Sequence, residues 1–340
     1  MTIVLNICIY IFSFINFIKI GDVNNPPSEN GYGKVTYEYS ISETELTNEC
    51  YCFFLNSVAK TYDPYNLYNP IMGEYFWGGI VRKTDSNGNF VYYVKPGFEK
   101  YPAIGITWNS AIRFINWLNY NWENIKNKKD ITYYISETEG DDNHGAYNTQ
   151  KYLNSSLHIK RNKGARFYLP NKNEWFKACF YNGKEYITTN QNLQIANCYT
   201  EDGWKYPYPH LLSSEKGTVS HYGTINQNGN LGEWIEDPFG TDGRNWKQFL
   251  GGSLIRPKYS LDINYTEGDA PDKSIASVGI RIIQLTASTT KQTPPTISYT
   301  PKHNTRLSQQ QDEKWIKIGD IQNEGDLYNA NQQLKTSSDS

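Results

Sequence analysis

The chain has 340 residues, a formal net charge of −2, 38% hydrophobic residues and 15% aromatic residues. The near-neutral balance offers no general electrostatic case for nucleic acid, and only 20% charge speaks against disorder despite a mean hydropathy of −0.67. The length allows one large domain or two ordinary ones, rich in loops.

Residues 1–16 form a signal-like apolar segment, part of a run from Ile3 to Ile18 broken by Asn6, Ser13 and Asn16. It lacks a basic start and a small-residue cleavage site, and it is short for a membrane span, so a secreted or lumenal location stays open. The next residues, "FIKI" (17–20), read as the first strand of the fold, and "KVTYEYSI" (34–41) reads as another. In "LTNECYCFFLNSVA" Thr47 can cap a helix whose apolar stripe is Tyr51, Phe54, Leu55 and Val58. "NFVYYVK" reads as a strand. In "TWNSAIRFINWLN" Thr107 can cap, and Trp108, Ala111, Ile112, Ile115 and Leu118 recur at helical spacing.

From Asn119 to Ala165 runs a connection of about fifty residues, a length that is usually functional or disordered. Its basic stretch "HIKRNKGAR" (158–166) reads as a solvated loop before the strand "ARFYLP". "LPNKNEWFKACFY" follows, with Asn171 and Glu174 spaced as a capping box. "FLGGSL" and "VGIRII" read as later strands. Residues 285–314, rich in Thr, Pro and Gln, read as a flexible linker. Beyond it, "WIKIGDIQNEG" (315–325) echoes "FIKIGDVNNPP" (17–27) with five consecutive identities, so residues 315–340 look like a truncated repeat of the domain start.

Of the motifs that carry chemistry, few are present. The cysteines Cys8, Cys50, Cys52, Cys179 and Cys198 form no C-x-x-C pair and read as buried thiols. The histidines His144, His158, His210, His221 and His303 are scattered, although a triad of two His and a carboxylate can draw on distant residues. No nucleophile elbow, Walker loop or dinucleotide fingerprint occurs. "NQNGNLGEW" (226–234) is the unusual stretch: an Asn-Gly turn, then a carboxylate and a Trp. On its residues alone it is a tight turn with a capping Glu.

Five blocks, in order, resemble the formylglycine-generating enzyme (sulfatase-modifying factor) family over residues 17–284: "YEYSISETELTNECYCFFLN", "YPAIGITWNSAIRFINWLN", "RFYLPNKNEWFKAC", "YGTINQNGNLGEW" and "FLGGSLIRP" with "SVGIRII". The resemblance implies an α+β fold related to C-type lectins, with short strands, few helices and long loops. It also implies a calcium site, with side-chain oxygens from Asn226 and Glu233 and backbone carbonyls from Gly229 and Leu231, a donor set suited to that ion. Trp234 would anchor that loop in the core. A second calcium site would use Asn197, the Cys198 carbonyl, Asp202 and the Trp204 carbonyl, at shorter spacing than the family's oxidases; the alternative there is a surface Asx turn.

The family's oxidases carry two copper-binding cysteines after the G-G-S strand. Here "GGSLIRPKYSL" places Arg256 and Leu261 at those positions, so no copper and no oxidase chemistry are expected. What the resemblance then implies is a calcium-stabilised, non-catalytic binding protein for a peptide or glycan. Its groove would include Arg256, Tyr222 and Trp246, with Tyr120, Trp122, Tyr147, Tyr206 and Tyr208 in the surrounding loops. Equally, those aromatics can simply pack the loops onto the core. Two other readings stand beside it: an oxidoreductase with an unrecognised metal site drawn from Asp237, Asp242, Glu267 and a histidine, or a decayed structural relative.

Overall fold

The computed structural model describes residues 15–126, 139–140, 142, 145–153, 155–187, 196–200, 203–204, 217–240 and 243–285. Cys8, Asp202, Tyr206, Tyr208, Asp242, residues 286–314 of the expected linker and the repeat at 315–340 lie outside the described residues.

β1 (Phe17–Ile20) covers the expected "FIKI". It pairs antiparallel with β2 (Tyr39–Ser42), with Lys19 opposite Ser40. Counted in chain order, β12 (Ile283–Gln284) pairs antiparallel with both β2 and β5 (Phe167–Tyr168), so the sheet order is β1-β2-β12-β5. The first and last strands of the domain therefore meet in one sheet. A second sheet has the order β10-β9-β8-β11. It contains β8 (Gly232–Pro238), β9 (Lys247–Leu250), β10 (Glu267–Asp269) and β11 (Val278–Ile280), with β11 parallel to β8. Two ribbons complete the strands: β3 (Ile80–Thr84) with β4 (Phe90–Val94), and β6 (Tyr199–Thr200) with β7 (Gly203–Trp204).

The helices start where the capping residues place them. Thr47 Oγ1 accepts the Cys50 amide at the head of α1 (Asn48–Val58). Thr107 Oγ1 accepts the Ser110 amide at 3.0 Å before α3 (Trp108–Lys126), and Asn171 with Glu174 closes a full capping box on α5 (Lys172–Phe180). α2 (Ile71–Glu74) and α4 (Thr149–Tyr152) are single turns. α3 runs seven residues past the expected end at Asn119, and its buried surface adds Phe114 and Trp117 to the predicted stripe. Phe54, Phe114 and Trp117 interlock edge-on across α1 and α3, with ring centroids 5.1 and 5.2 Å apart for the two Phe54 pairs. Trp234 is buried, and its indole N–H donates to the Ile106 carbonyl at 2.9 Å, anchoring β8 to the segment before α3.

Candidate functional site

The segment 217–233 leads into β8, and four of its residues take positive φ: Gly223 (φ 101°), Asn226 (φ 59°), Gly229 (φ 93°) and Asn230 (φ 66°). Asparagine and glycine tolerate that region, which explains the Asn- and Gly-rich sequence. The chain coils here instead of forming a simple hairpin turn, and Asn226, Gln227, Asn228, Asn230 and Glu233 are all buried. The Thr218 hydroxyl donates to the Asn228 carbonyl, and the Asn230 amide donates to the Asn197 carbonyl at 2.8 Å, tying the coil to the 196–200 segment.

At the base of the coil lies a charge cluster with no exposure. Glu233 accepts from Trp175 Nε1 at 2.7 Å and from the Arg281 guanidinium, whose Nη2 is 2.9 Å from Oε1. Arg281 also donates to the carbonyls of Ser42 and Ile225. Glu45 Oε2 lies 3.9 Å from Arg281 Nη2, while Oε1 accepts the Asn230 side-chain amide at 2.8 Å. Burial pushes both carboxyls up, Glu45 to about 7, with Arg281 opposing the shift in each case. Two carboxylates face one guanidinium, so the cluster has room for one further positive charge.

Several buried polar side-chain atoms of the coil and of the cluster beneath it are unpaired. Asn228 Oδ1, Asn226 Nδ2 and Glu45 Oε2 have no hydrogen-bond partner among the described residues. A half-turn of the Asn226 amide exchanges its nitrogen for its oxygen at nearly no steric cost. Glu233, one of the four expected donors, is constrained differently: both oxygens of its carboxylate are already engaged by Arg281 and Trp175, so an ion there would share it. Glu45, which the sequence reading did not single out, is the carboxylate with an unoccupied oxygen. Its only sequence signal is its place in the "ETELTN" stretch, and its partners lie some 185 and 236 positions away.

The G-G-S turn leaves β9 with Gly251 at φ 101° and Gly252 at φ 67°. A Cβ at Gly252 would sit 2.5 Å from Ser260 Oγ, and one at Gly251 would sit 2.8 Å from the Gln227 carbonyl, so neither position admits a side chain. Arg256, three residues on, pairs with Glu267 of β10 at 2.5 Å and is 41% exposed. Leu261 is buried against Ala196 and Cys198. Of the two positions that the resemblance aligns with the family's cysteines, Leu261 thus sits in a small apolar core and Arg256 is a cation already paired. Cys50, Cys52, Cys179 and Cys198 are buried free thiols, and burial pushes Cys52 up to about 12 and holds Cys50 and Cys179 well above the ordinary thiol range.

The remaining candidates are dispersed. Asn197 and Cys198 are buried beside the coil, and Trp204 stands in β7. Tyr222 donates to Asp22 Oδ2 at 2.7 Å, and Trp246 stacks on Phe239 under the Arg244 guanidinium at 4.0 Å. Among the described residues, these contacts of Tyr222, Trp246 and Arg256 share no residue. Tyr147 is no groove residue: it is fully buried and donates to Glu236 at 2.6 Å. Trp122 packs its ring edge-on against Phe167 at 4.5 Å. Among the described residues, no three His, Cys, Asp or Glu side chains converge as metal ligands.

One residue of the basic run departs from its reading as a solvated loop, while His158, Lys160 and Lys163 are exposed as that reading has it. The Arg161 side chain is only 8% exposed; it lies 2.6 Å from Glu174 and 2.7 Å from Glu236, and it donates to the Leu169 carbonyl. Tyr37 donates to Glu174 in the same cluster, and burial pushes Glu236 up to about 7 against Arg161. Two carboxylates that look like surface residues need a buried cation, and the loop supplies it.

The sulfatase-modifying factor enzyme 1-like domain matches residues 23–285, and the chain belongs to that family. Its fold is the α+β formylglycine-generating-enzyme fold, with the mixed short-stranded sheets and few helices described above. Among solved structures, CarF is similar at 16% identity and TM-score 0.48, covering 79% of this chain and 98% of that one. Treponema denticola variable protein 1 is similar at 16% identity and TM-score 0.47, covering 79% and 95%. PvdO from Pseudomonas aeruginosa is similar at 14% identity and TM-score 0.39, covering 79% and 90%. A sequence comparison with curated proteins finds no match.

Proposed function

We propose that this chain is a calcium-stabilised, non-catalytic binding domain for a peptide or glycan. The observation that carries the reading is the pair Arg256 and Leu261 at the positions of the family's copper-binding cysteines, one ion-paired with Glu267 and the other buried against Ala196 and Cys198. Neither side chain can ligate copper or form a mixed disulfide with a substrate cysteine. The buried thiols offer no substitute, because only the thiolate is nucleophilic and their burial disfavours it.

Asn226, the carbonyls of Gly229 and Leu231, and Glu233 would hold the calcium ion, with Glu45 supplying the excess charge beneath them. In this role the ion is structural. It fixes the coil that links β8 to the 196–200 segment.

A surface cleft of about 270 Å³ supports a binding role, lined by Pro26, Pro27, Glu29, Lys184, Tyr186 and Asn264 among others. Its lining combines prolines and a tyrosine with both charge signs and amides, a mixture that suits a polar, extended ligand. Screening the calcium-loaded protein on glycan and peptide arrays is the test. A reproducible binder lost on Tyr186→Ala or Lys184→Glu supports the reading. Aldehyde formation on a cysteine peptide with oxygen consumption would overturn it.

A further inference from the structure

Three stretches far apart in the chain, 26–30, 184–186 and 263–264, meet around the cleft of about 270 Å³. Its one aromatic wall is held in place. The Tyr186 hydroxyl accepts the Asn25 side-chain amide at 2.7 Å, and the ring packs on Tyr181 with centroids 5.0 Å apart. A Cβ at Gly33 would overlap that hydroxyl, so only glycine there leaves the ring its place. A ring fixed in this way has little conformational freedom left to lose on binding. The Asn30 side-chain amide donates to Asn264 Oδ1 at 3.1 Å, while Asn30 Oδ1 accepts the Ser28 hydroxyl and the Tyr32 amide. This orients the exposed Asn264 amide, whose own N–H groups have no partner among the described residues. Glu29, Lys184 and Glu185 are exposed and form no ion pair among the described residues.

The main chain, by contrast, has little to offer. Pro26 and Pro27 have no N–H, and the amides of Ser28, Lys184, Glu185 and Asn264 are bonded within their own turns. A peptide that adds along a strand edge needs free amides at alternate residues, and none of the three stretches has two at that spacing. A proline-rich peptide docks in a groove of several aromatic rings, and Tyr186 is the one aromatic side chain in this lining among the described residues. Sugar hydroxyls make neither demand. Each is donor and acceptor at once, and the C–H face of a pyranose ring packs on an aromatic ring. Asn264 and Lys184 supply donors here, Glu29 and Glu185 supply acceptors, and Tyr186 supplies the ring. Two carboxylates against one ammonium leave the rim net negative, which disfavours an anionic sugar.

We infer that this cleft takes an uncharged glycan, an inference that rests on the reading of the domain as a binding protein. Tyr186 stacks on one sugar ring, Glu29 and Glu185 accept from its hydroxyls, and the Asn264 amide donates to them. Peptides and sulfated or carboxylated sugars are excluded, the first by the missing row of amides and the second by the two carboxylates.

A printed array of neutral oligosaccharides, their sulfated forms and random-sequence peptides, probed with the full-length chain, tests this, followed by NMR titration of the best binder. A neutral sugar should bind, and its sulfated form should bind about threefold more weakly, the effect of one like charge some 7 Å away in water. Tyr186→Ala and Glu185→Ala should each weaken the neutral sugar by about tenfold. Tyr186 also packs inside the fold, so Glu185→Ala and Asn264→Ala, both on the exposed rim, carry the test if Tyr186→Ala melts early. A neutral sugar whose affinity survives both rim variants overturns the placement in this cleft, and a preference for the sulfated form overturns the exclusion of anions. Binding of peptides alone overturns the glycan assignment and leaves the domain a binding protein. No binder of either class overturns both.

Discussion

Replacing Arg281 with Met keeps the length of the side chain and removes its charge. Arg281 has no exposure, and it holds Glu233 through three hydrogen bonds while capping the carbonyls of Ser42 and Ile225. Its loss leaves two buried carboxylates, Glu45 and Glu233, with no cation between them. Breaking a buried pair by removing one partner costs about 3–5 kcal/mol. For a domain of this size, about 1 kcal/mol moves Tm by roughly 2–4 °C, so Tm should fall by roughly 6–20 °C. The calcium response should change in the opposite sense. The cluster would move from one uncompensated negative charge to two, so added calcium should raise Tm by more in the variant than in the native chain. Thermal melts by near-UV circular dichroism, with calcium and with chelator, read both effects. A fall below about 1 kcal/mol equivalent would refute the claim that the guanidinium holds this cluster together. An unchanged calcium increment would refute the placement of the ion beside it.

Four further outcomes follow from the same contacts. Glu45 and Glu236 are both raised to about 7, so between their unfolded values and about 7 the folded protein holds more protons than the unfolded chain. Stability should therefore fall as pH rises from about 5 to about 7, by up to two protons' worth of slope, and calcium should flatten the Glu45 share; a rise in stability across that window would contradict it. Leu261→Ala should cost about 2–5 kcal/mol by urea denaturation, since the side chain fills the small core with Cys198 and Ala196. Arg256→Ala should change stability by less than about 1 kcal/mol, because that ion pair is partly exposed; equal losses for the two variants would show that the region after the G-G-S turn is not organised as described. Glu233→Ala should lower Tm and abolish stabilisation by calcium, and an unaltered calcium response would remove that ligand.

What the sequence made legible is local. Thr47, Thr107 and the Asn171–Glu174 box mark helix starts because the capping bond spans three residues, and the "FIKI" strand is bounded by a Gly-Asp turn. β8 was harder to see. "GEWIEDP" carries three acidic residues and a proline, a poor strand pattern until its partners are known. Glu233 and Glu236 are buried only because Arg281 and Arg161 reach them from 48 and 75 residues away. Arg161 was misread for the same reason, since a basic loop looks solvated when its carboxylate partners are unseen. The buried coil at 226–233 was visible as a composition anomaly, while Glu45 beneath it was not visible at all. Tyr147 was misplaced because an aromatic in a long loop gives no sign of which way it faces.

The account centres on a calcium-holding scaffold without the copper chemistry of its family, and elemental analysis of the protein purified without chelator tests that most directly. Inductively coupled plasma mass spectrometry should find about one or two calcium ions per chain, as the oxygen-donor coil predicts, and no stoichiometric transition metal. Stoichiometric copper or iron, or no calcium at all, would contradict it.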